Sequence, residues 1–120
     1  MSEKVTILGQ APSKSNSYKI ITIGNHSSLG KTPVLKEYER SFYIQCPIRD
    51  KMITGYFKLY ADVFFTTQSH DLDNSLKIIL DCLQECKVIK NDNRCVEIRA
   101  RKFIDKVNPR IELLIEEVDI

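Results

Sequence analysis

The sequence predicts a single small α/β (α+β) domain: a mixed β-sheet of about five strands with two main helices packed on it. Three observations carry this. A chain of 120 residues can enclose one hydrophobic core but not two. Apolar residues make up 42% of it, enough for a packed interior. Segments of period two and of period 3.6 follow one another in the order ββαβαββ, a succession that lays helices against a sheet. There is no internal repeat and no low-complexity tract, so residues 1–120 read as one domain.

Each element has a local reason. Lys4–Leu8 alternates as a short strand, and Pro12–Ser17 reads as a turn. Tyr18–Ile23 is a second short strand. Gly24–Gly30, G-N-H-S-S-L-G, is expected to be a polar and mobile loop. Thr32-Pro33 starts a helix with proline at its first position, and Pro47 stops it near Ile44 or Gln45. Gly55–Thr66 is aromatic and β-branched and forms a long strand. Asp73 or Asn74 caps a helix running to about Cys86, with Leu76, Ile79, Leu80 and Leu83 on its apolar face. Val96–Ile104 alternates Val96, Ile98 and Ala100 against Glu97, Arg99 and Arg101, and Arg110–Val118 is the last strand.

The net charge of +2 is unevenly spread. Residues 1–60 carry nine Lys/Arg against four Asp/Glu, while residues 61–120 carry nine against twelve. The basic half, including Lys14, Lys19, Lys31, Lys36, Arg40, Arg49, Lys51 and Lys58, is a plausible surface for a polyanion. Dispersed lysines are also what any solvated surface carries. The N-terminus lacks the apolar run of a signal peptide, and no stretch is long enough to span a bilayer, so a cytoplasmic location is expected. The four cysteines, Cys46, Cys82, Cys86 and Cys95, lack zinc-site spacing and read as reduced, mostly buried small residues. His70 reads as an exposed loop histidine beside Asp71.

Residues 71–92, D-L-D-N-S-L-K-I-I-L-D-C-L-Q-E-C-K-V-I-K-N-D, hold the chemistry. Asp71 and Asp73, two apart on an extended segment, point the same way. Asp73, Lys77, Asp81 and Glu85 then form an i, i+4 row on one helix face, and Asp92 arrives after the helix. Several carboxylates and one lysine suit a hard divalent cation and a phosphate: Mg2+ takes oxygen ligands, and an ammonium adds a compact positive charge. Acid–base rows also occur on solvated helix faces, and an aspartate before a helix is often only a cap. The whole pattern D-x-D-N-x-x-K-x-x-x-D with a later aspartate is far more specific than a bare D-x-D.

That pattern resembles the RusA family of Holliday junction resolvases. D-L-D-N-x-x-K-x-x-x-D-x-L followed by N-D-x-x-x-V places the family's motif at Asp71, Asp73, Lys77 and Asn91-Asp92, with Asp81 matching a further helix aspartate. The segment P-S-K-S-N-S-Y, Pro12 to Tyr18, is similar to the family's P-P-S-x-N-x-Y and puts Asn16 at its asparagine. The resemblance runs over nearly the whole chain. Two positions depart: Asn91 stands where the family has the first acid of a pair, and Ala11-Pro12 replaces Pro-Pro.

The resemblance implies an endodeoxyribonuclease that resolves four-way DNA junctions with Mg2+ or Mn2+. It implies Asp71, Asp73 and Asp92 as metal ligands and catalytic residues, and Lys77 as the group that steadies charge at the phosphate. Asp81 and Asn74 would support them, and Lys14, Asn16, Lys19 and Lys31 would contact DNA. Two opposed strands must be cut and one chain holds one acidic cluster, so a two-fold homodimer is expected, with a phage or prophage origin among the options. A nuclease of broader taste for flaps, forks or single strands, and a DNA-structure-binding module with weak chemistry, remain alternatives.

Overall fold

The computed structural model describes residues 4–13 and 16–119, so Lys14 lies outside the described residues. The elements are β1 (Val5–Leu8), β2 (Tyr18–Ile23), β3 (His26–Lys31), α1 (Pro33–Gln45), β4 (Tyr56–Phe65), α2 (Leu72–Glu85), β5 (Cys95–Ile104) and β6 (Arg110–Val118). A short 3₁₀ turn, Asp92–Arg94, precedes β5.

β4 organises the molecule. Its ten residues, Y-F-K-L-Y-A-D-V-F-F, alternate strictly, so Phe57, Leu59, Ala61, Val63 and Phe65 all fall on one buried face. β6 pairs with it antiparallel, from Tyr56 opposite Val118 to Phe64 opposite Arg110. β5 pairs with it in parallel on the other side, from Phe57 opposite Cys95 to Phe65 opposite Ile104. β1 closes the far edge, giving the order β1-β6-β4-β5. A parallel pair needs a crossover, and α2 supplies it between β4 and β5. Leu35, Tyr38 and Phe42 of α1 and Ile78, Ile79, Cys82 and Leu83 of α2 join the buried face in one hydrophobic cluster. Both helices and the mixed sheet therefore form as the sequence leads one to expect.

α1 begins where Thr32 accepts a hydrogen bond from Leu35 N at 3.3 Å, with Pro33 as first helical residue. It ends at Gln45, before Pro47. All four cysteines are free; Cys46, Cys82 and Cys86 are buried and Cys95 is half-buried.

Three expectations need correction. The Gly24–Gly30 loop does not exist as such: only Gly24-Asn25 form the turn, and His26–Lys31 pairs with Tyr18–Ile23 as a β-hairpin. Gly24 has φ +61, the left-handed region that a two-residue hairpin turn demands at its first central position. The hairpin is exposed over most of both faces, so β3 lacks the apolar alternation by which a half-buried strand is recognised. As a result the main sheet has four strands and the hairpin stands apart as a second, two-stranded sheet. Finally, α2 starts at Leu72, earlier than expected, with Asp71 in the cap position and Asp73 inside the first turn.

Candidate active site

The parallel crossover sets the site. β4 delivers the chain to residues 66–71, and α2 then runs back along the sheet toward the start of β5, where Asp92 lies. Asp92 therefore comes back beside α2, against Lys77.

The loop before α2 is tightly built. Gln10 Oε1 accepts hydrogen bonds from Thr66 N at 2.8 Å and Thr66 Oγ1 at 2.7 Å. Gln10 Nε2 lies 3.2 Å from His70 Nε2. The His70 ring stacks on Phe65, with centroids 5.0 Å apart and planes 12° from parallel. His70 is thus half-buried and packed, where the sequence reads as an exposed loop histidine. Lys102 Nζ, reaching across from β5, donates to Gln68 O at 2.7 Å and to His70 O. Ser75, almost fully buried, donates to Pro12 O at 3.2 Å and so fixes the N-terminal segment against α2.

Within this frame Asp71 and Asp73 are both exposed at the first turn of α2. Asp71 makes no capping bond; its Oδ2 accepts from Asn74 Nδ2 at 3.3 Å. Neither aspartate has an ion-pair partner among the described residues. One turn further on, Lys77 Nζ lies 2.5 Å from Asp92 Oδ2 and 3.1 Å from Asp81 Oδ1. The hydrogen bond that Lys77 donates to Asp92, then the one it donates to Asp81, raises the Lys77 pKa above the ordinary lysine value. Asp92 is itself held by the main chain: its N–H donates to Gln84 Oε1 at 3.0 Å, and Asn91 caps the 3₁₀ turn by accepting from Asn93 N at 3.0 Å. Asn91 thus has a structural task at the position where the resemblance has an acid.

The structure brings Lys77, Asp81 and Asp92 together, and places Asp71 and Asp73 about one helical turn away on the same helix. Among the described residues no three acidic, histidine or cysteine side chains stand close enough to hold one ion, and Asp92 is engaged by Lys77. In kind the donors fit a hard cation: Asp71, Asp73 and Asp92 offer carboxylate oxygens, exposed or half-buried, and no competing soft ligand.

Of the residues read as DNA contacts, Lys19 and Lys31 lie on the hairpin and Asn16 at its base. Asn16 is exposed at its base, where Asn16 O accepts from Thr32 Oγ1 at 2.9 Å. Lys19 is exposed on β2. Lys31 is differently placed: its Nζ bonds Glu39 at 2.8 Å and Glu85 at 3.0 Å, clamping the hairpin to both helices. The Glu39 hydrogen bond leads in raising the Lys31 pKa above the ordinary value.

Gln10, Ser75, Gln84 and Lys102 were not singled out in the sequence. Gln84 alone had a local signal, lying seven residues after Lys77 and three after Asp81 on one helix face. The others act across long sequence separations that no periodicity displays.

A family model described as endodeoxyribonuclease RusA matches residues 10–116, a span that includes every residue of this site. No curated protein matches the chain significantly.

Proposed function

The chain belongs to the endodeoxyribonuclease RusA family, and we propose that it resolves four-way DNA junctions by hydrolysing one phosphodiester in each of two opposed strands. The observation that supports this best is the charge arrangement on α2: two unpaired aspartates at its first turn and one lysine drawn between Asp81 and Asp92.

Asp71, Asp73 and Asp92 are the residues that would hold a divalent ion, Mg2+ or Mn2+. When bound, such an ion supplies Lewis acidity at the phosphate and lowers the pKa of water. The chain's own groups do the rest. Lys77, permanently protonated, meets the negative charge that builds on a non-bridging phosphate oxygen as water adds to phosphorus. Asp81 positions Lys77 through their i, i+4 contact, and can keep it placed if Asp92 turns toward a cation. Gln84 fixes the backbone of Asp92. The P–O3′ bond breaks, the proton passes to the departing 3′ oxygen, and 5′-phosphate and 3′-hydroxyl ends result, which a ligase can seal.

Resolution needs two cuts, and one chain carries one such site, so the working species is a two-fold homodimer. Among the described residues no helix is long and apolar enough to cross a membrane.

A gel decides the reading. A synthetic four-way junction, a flap and a linear duplex are incubated with protein in Mg2+ and in EDTA. Paired symmetric nicks in the junction alone, abolished by EDTA, are expected. Equal cutting of the flap would move the assignment to a broader branched-DNA nuclease. Persistence of cutting in EDTA would remove the metal.

A further inference from the structure

The β2–β3 hairpin has features that the reaction above does not use. Ile20 and Leu29 face each other across its strands, and they are 75% and 74% exposed. Tyr18, two residues before Ile20, shares their face. That face is turned to α2: Tyr18 and Leu29 line a groove of about 210 Å3 whose other wall is Lys77, Ile78 and Asp81. The apolar strip thus begins beside the lysine of the candidate active site and leads outward from it. On the opposite face Ile21 folds over Gly30, where a Cβ would come within 1.9 Å of its Cδ1. Ile21 (36% exposed) and Ile23 (76% exposed) lie on that far face, so what sets Ile20 and Leu29 apart is that their face looks toward Lys77.

The surroundings suit a polyanion. Residues 4–36 contain no aspartate or glutamate, and the hairpin carries Lys19, His26 and Lys31. Its base is rigidly held, by Lys31 to both helices and by Thr32 N to Ser17 O at 2.9 Å. A second copy of the chain is a poor occupant. Two aliphatic side chains fall far short of the roughly 800 Å2 per partner that a stable interface buries, and two hairpins would oppose like charges.

We propose that this hairpin is a wedge: Ile20 and Leu29 receive an unstacked nucleobase at the branch point, immediately beside the phosphate served by Lys77. Aliphatic side chains that enter a base step replace lost stacking with apolar contact, and the step opens least expensively where the stack is already interrupted. Phosphate contacts carry affinity whatever the DNA shape, so the wedge acts on cleavage, favouring branched over continuous duplex. The inference rests on the junction-cleaving reading above.

The test uses a four-way junction with 2-aminopurine at the branch point, a base whose fluorescence rises when it unstacks, in Ca2+ in place of Mg2+. The full-length protein should raise the emission. Ile20→Ser/Leu29→Ser should abolish that rise, leave junction affinity nearly unchanged, and slow cleavage in Mg2+ on the order of tenfold. Ile23→Ser removes an equally exposed isoleucine (76%) from the other face and should behave as the parent. Leu29→Met keeps an apolar contact and should retain the rise; Leu29→Ser alone gives a second, milder variant, and circular dichroism verifies the fold of each. Three results overturn the proposal: an undiminished rise in the double variant, an equal loss in Ile23→Ser, or a change from dimer to monomer in light scattering, which would make the face a subunit contact. A parent protein that cuts the junction with no rise sinks the wedge alone. One that neither binds nor cuts branched DNA sinks the junction reading and the wedge with it.

Discussion

Two charged regions of this molecule are built from the same residue types and differ in how their charges are matched. On the sheet face away from the helices, Arg101 makes two 2.9 Å bonds to Asp62, and Arg110 bonds Asp105 at 2.9 Å and Glu112 at 2.8 Å. The guanidiniums also lie over rings, Arg110 at 3.8 Å from the Phe64 centroid and Arg101 at 5.3 Å from that of Phe103. Each of these charges is answered by a neighbour. Along α2 and the turn after it, Asp81 and Asp92 share one lysine, and Asp71 and Asp73 have no ion-pair partner among the described residues. Repulsion among carboxylates has a cost, and a fold that wanted only stability would have matched them. Under the proposed function, the surplus is the region that a divalent cation would neutralise.

The comparison breaks most sharply at Asp73. Asp73→Asn should abolish junction cleavage in Mg2+ while junction affinity holds or rises, since a negative charge near phosphate is removed. The residue is exposed in the first turn of α2, so the fold loses only a helix-dipole contact of about 0.3–1 kcal/mol. Single-turnover cleavage and a thermal melt measure both; turnover at the parental rate would remove Asp73 from the site. Lys77→Ala comes next. Removing one group that meets developing charge slows the reaction by about 10²–10³-fold, with little change in affinity measured in Ca2+. A variant that cuts normally but binds weakly would make Lys77 an ordinary phosphate contact.

The contrast between the regions also explains what the sequence could reveal. The pairing of Lys77 with Asp81 was legible because both ride on one helix, where i, i+4 spacing maps directly onto geometry. Both helices and β4 were legible because each buries one face and so shows its period. β3 was not: with solvent on both sides, S-S-L-G-K has no pattern to read, and its strand status comes only from pairing with β2. The early start of α2 was missed because Asp71, Asp73 and Asn74 are equally good cap residues, so the sequence does not choose among them. Gln10 and Lys102 lie more than thirty residues from the His70 they hold in place, and nothing local in the sequence announces such a contact. The role of Lys31 was equally hidden, since its carboxylate partners are eight and fifty-four residues away.

Gln84 sharpens the comparison from the inside. It touches no phosphate in the proposed chemistry and acts through the Asp92 backbone. Gln84→Ala should therefore lower cleavage by about 10–100-fold, the loss typical of groups that orient a metal ligand, with a higher Mg2+ concentration needed for half-maximal rate. Restored activity in Gln84→Glu, which keeps the accepting oxygen, separates positioning from general loss of structure. An unchanged Mg2+ dependence in the alanine variant would show that Asp92 needs no such tether.

The smallest effect is expected where the charges are already matched. Lys4, then Arg110, holds the Glu112 carboxyl below its ordinary value of 4.5. A carboxylate whose folded-state pKa is depressed contributes stability above its unfolded value, and that contribution disappears as pH falls through the folded one. Glu112→Gln should accordingly lower the urea midpoint slightly at neutral pH and not at all well below pH 4.5, where the parent has lost the same contribution. Junction cleavage at neutral pH should be unaffected, because this pair lies on the sheet face that the helices do not cover. Asp62→Asn, which breaks the fork with Arg101, should likewise spare cleavage. If either substitution slowed junction cleavage as strongly as Gln84→Ala, the matched face would be part of the working surface, and charge surplus would no longer distinguish the functional region from the structural one.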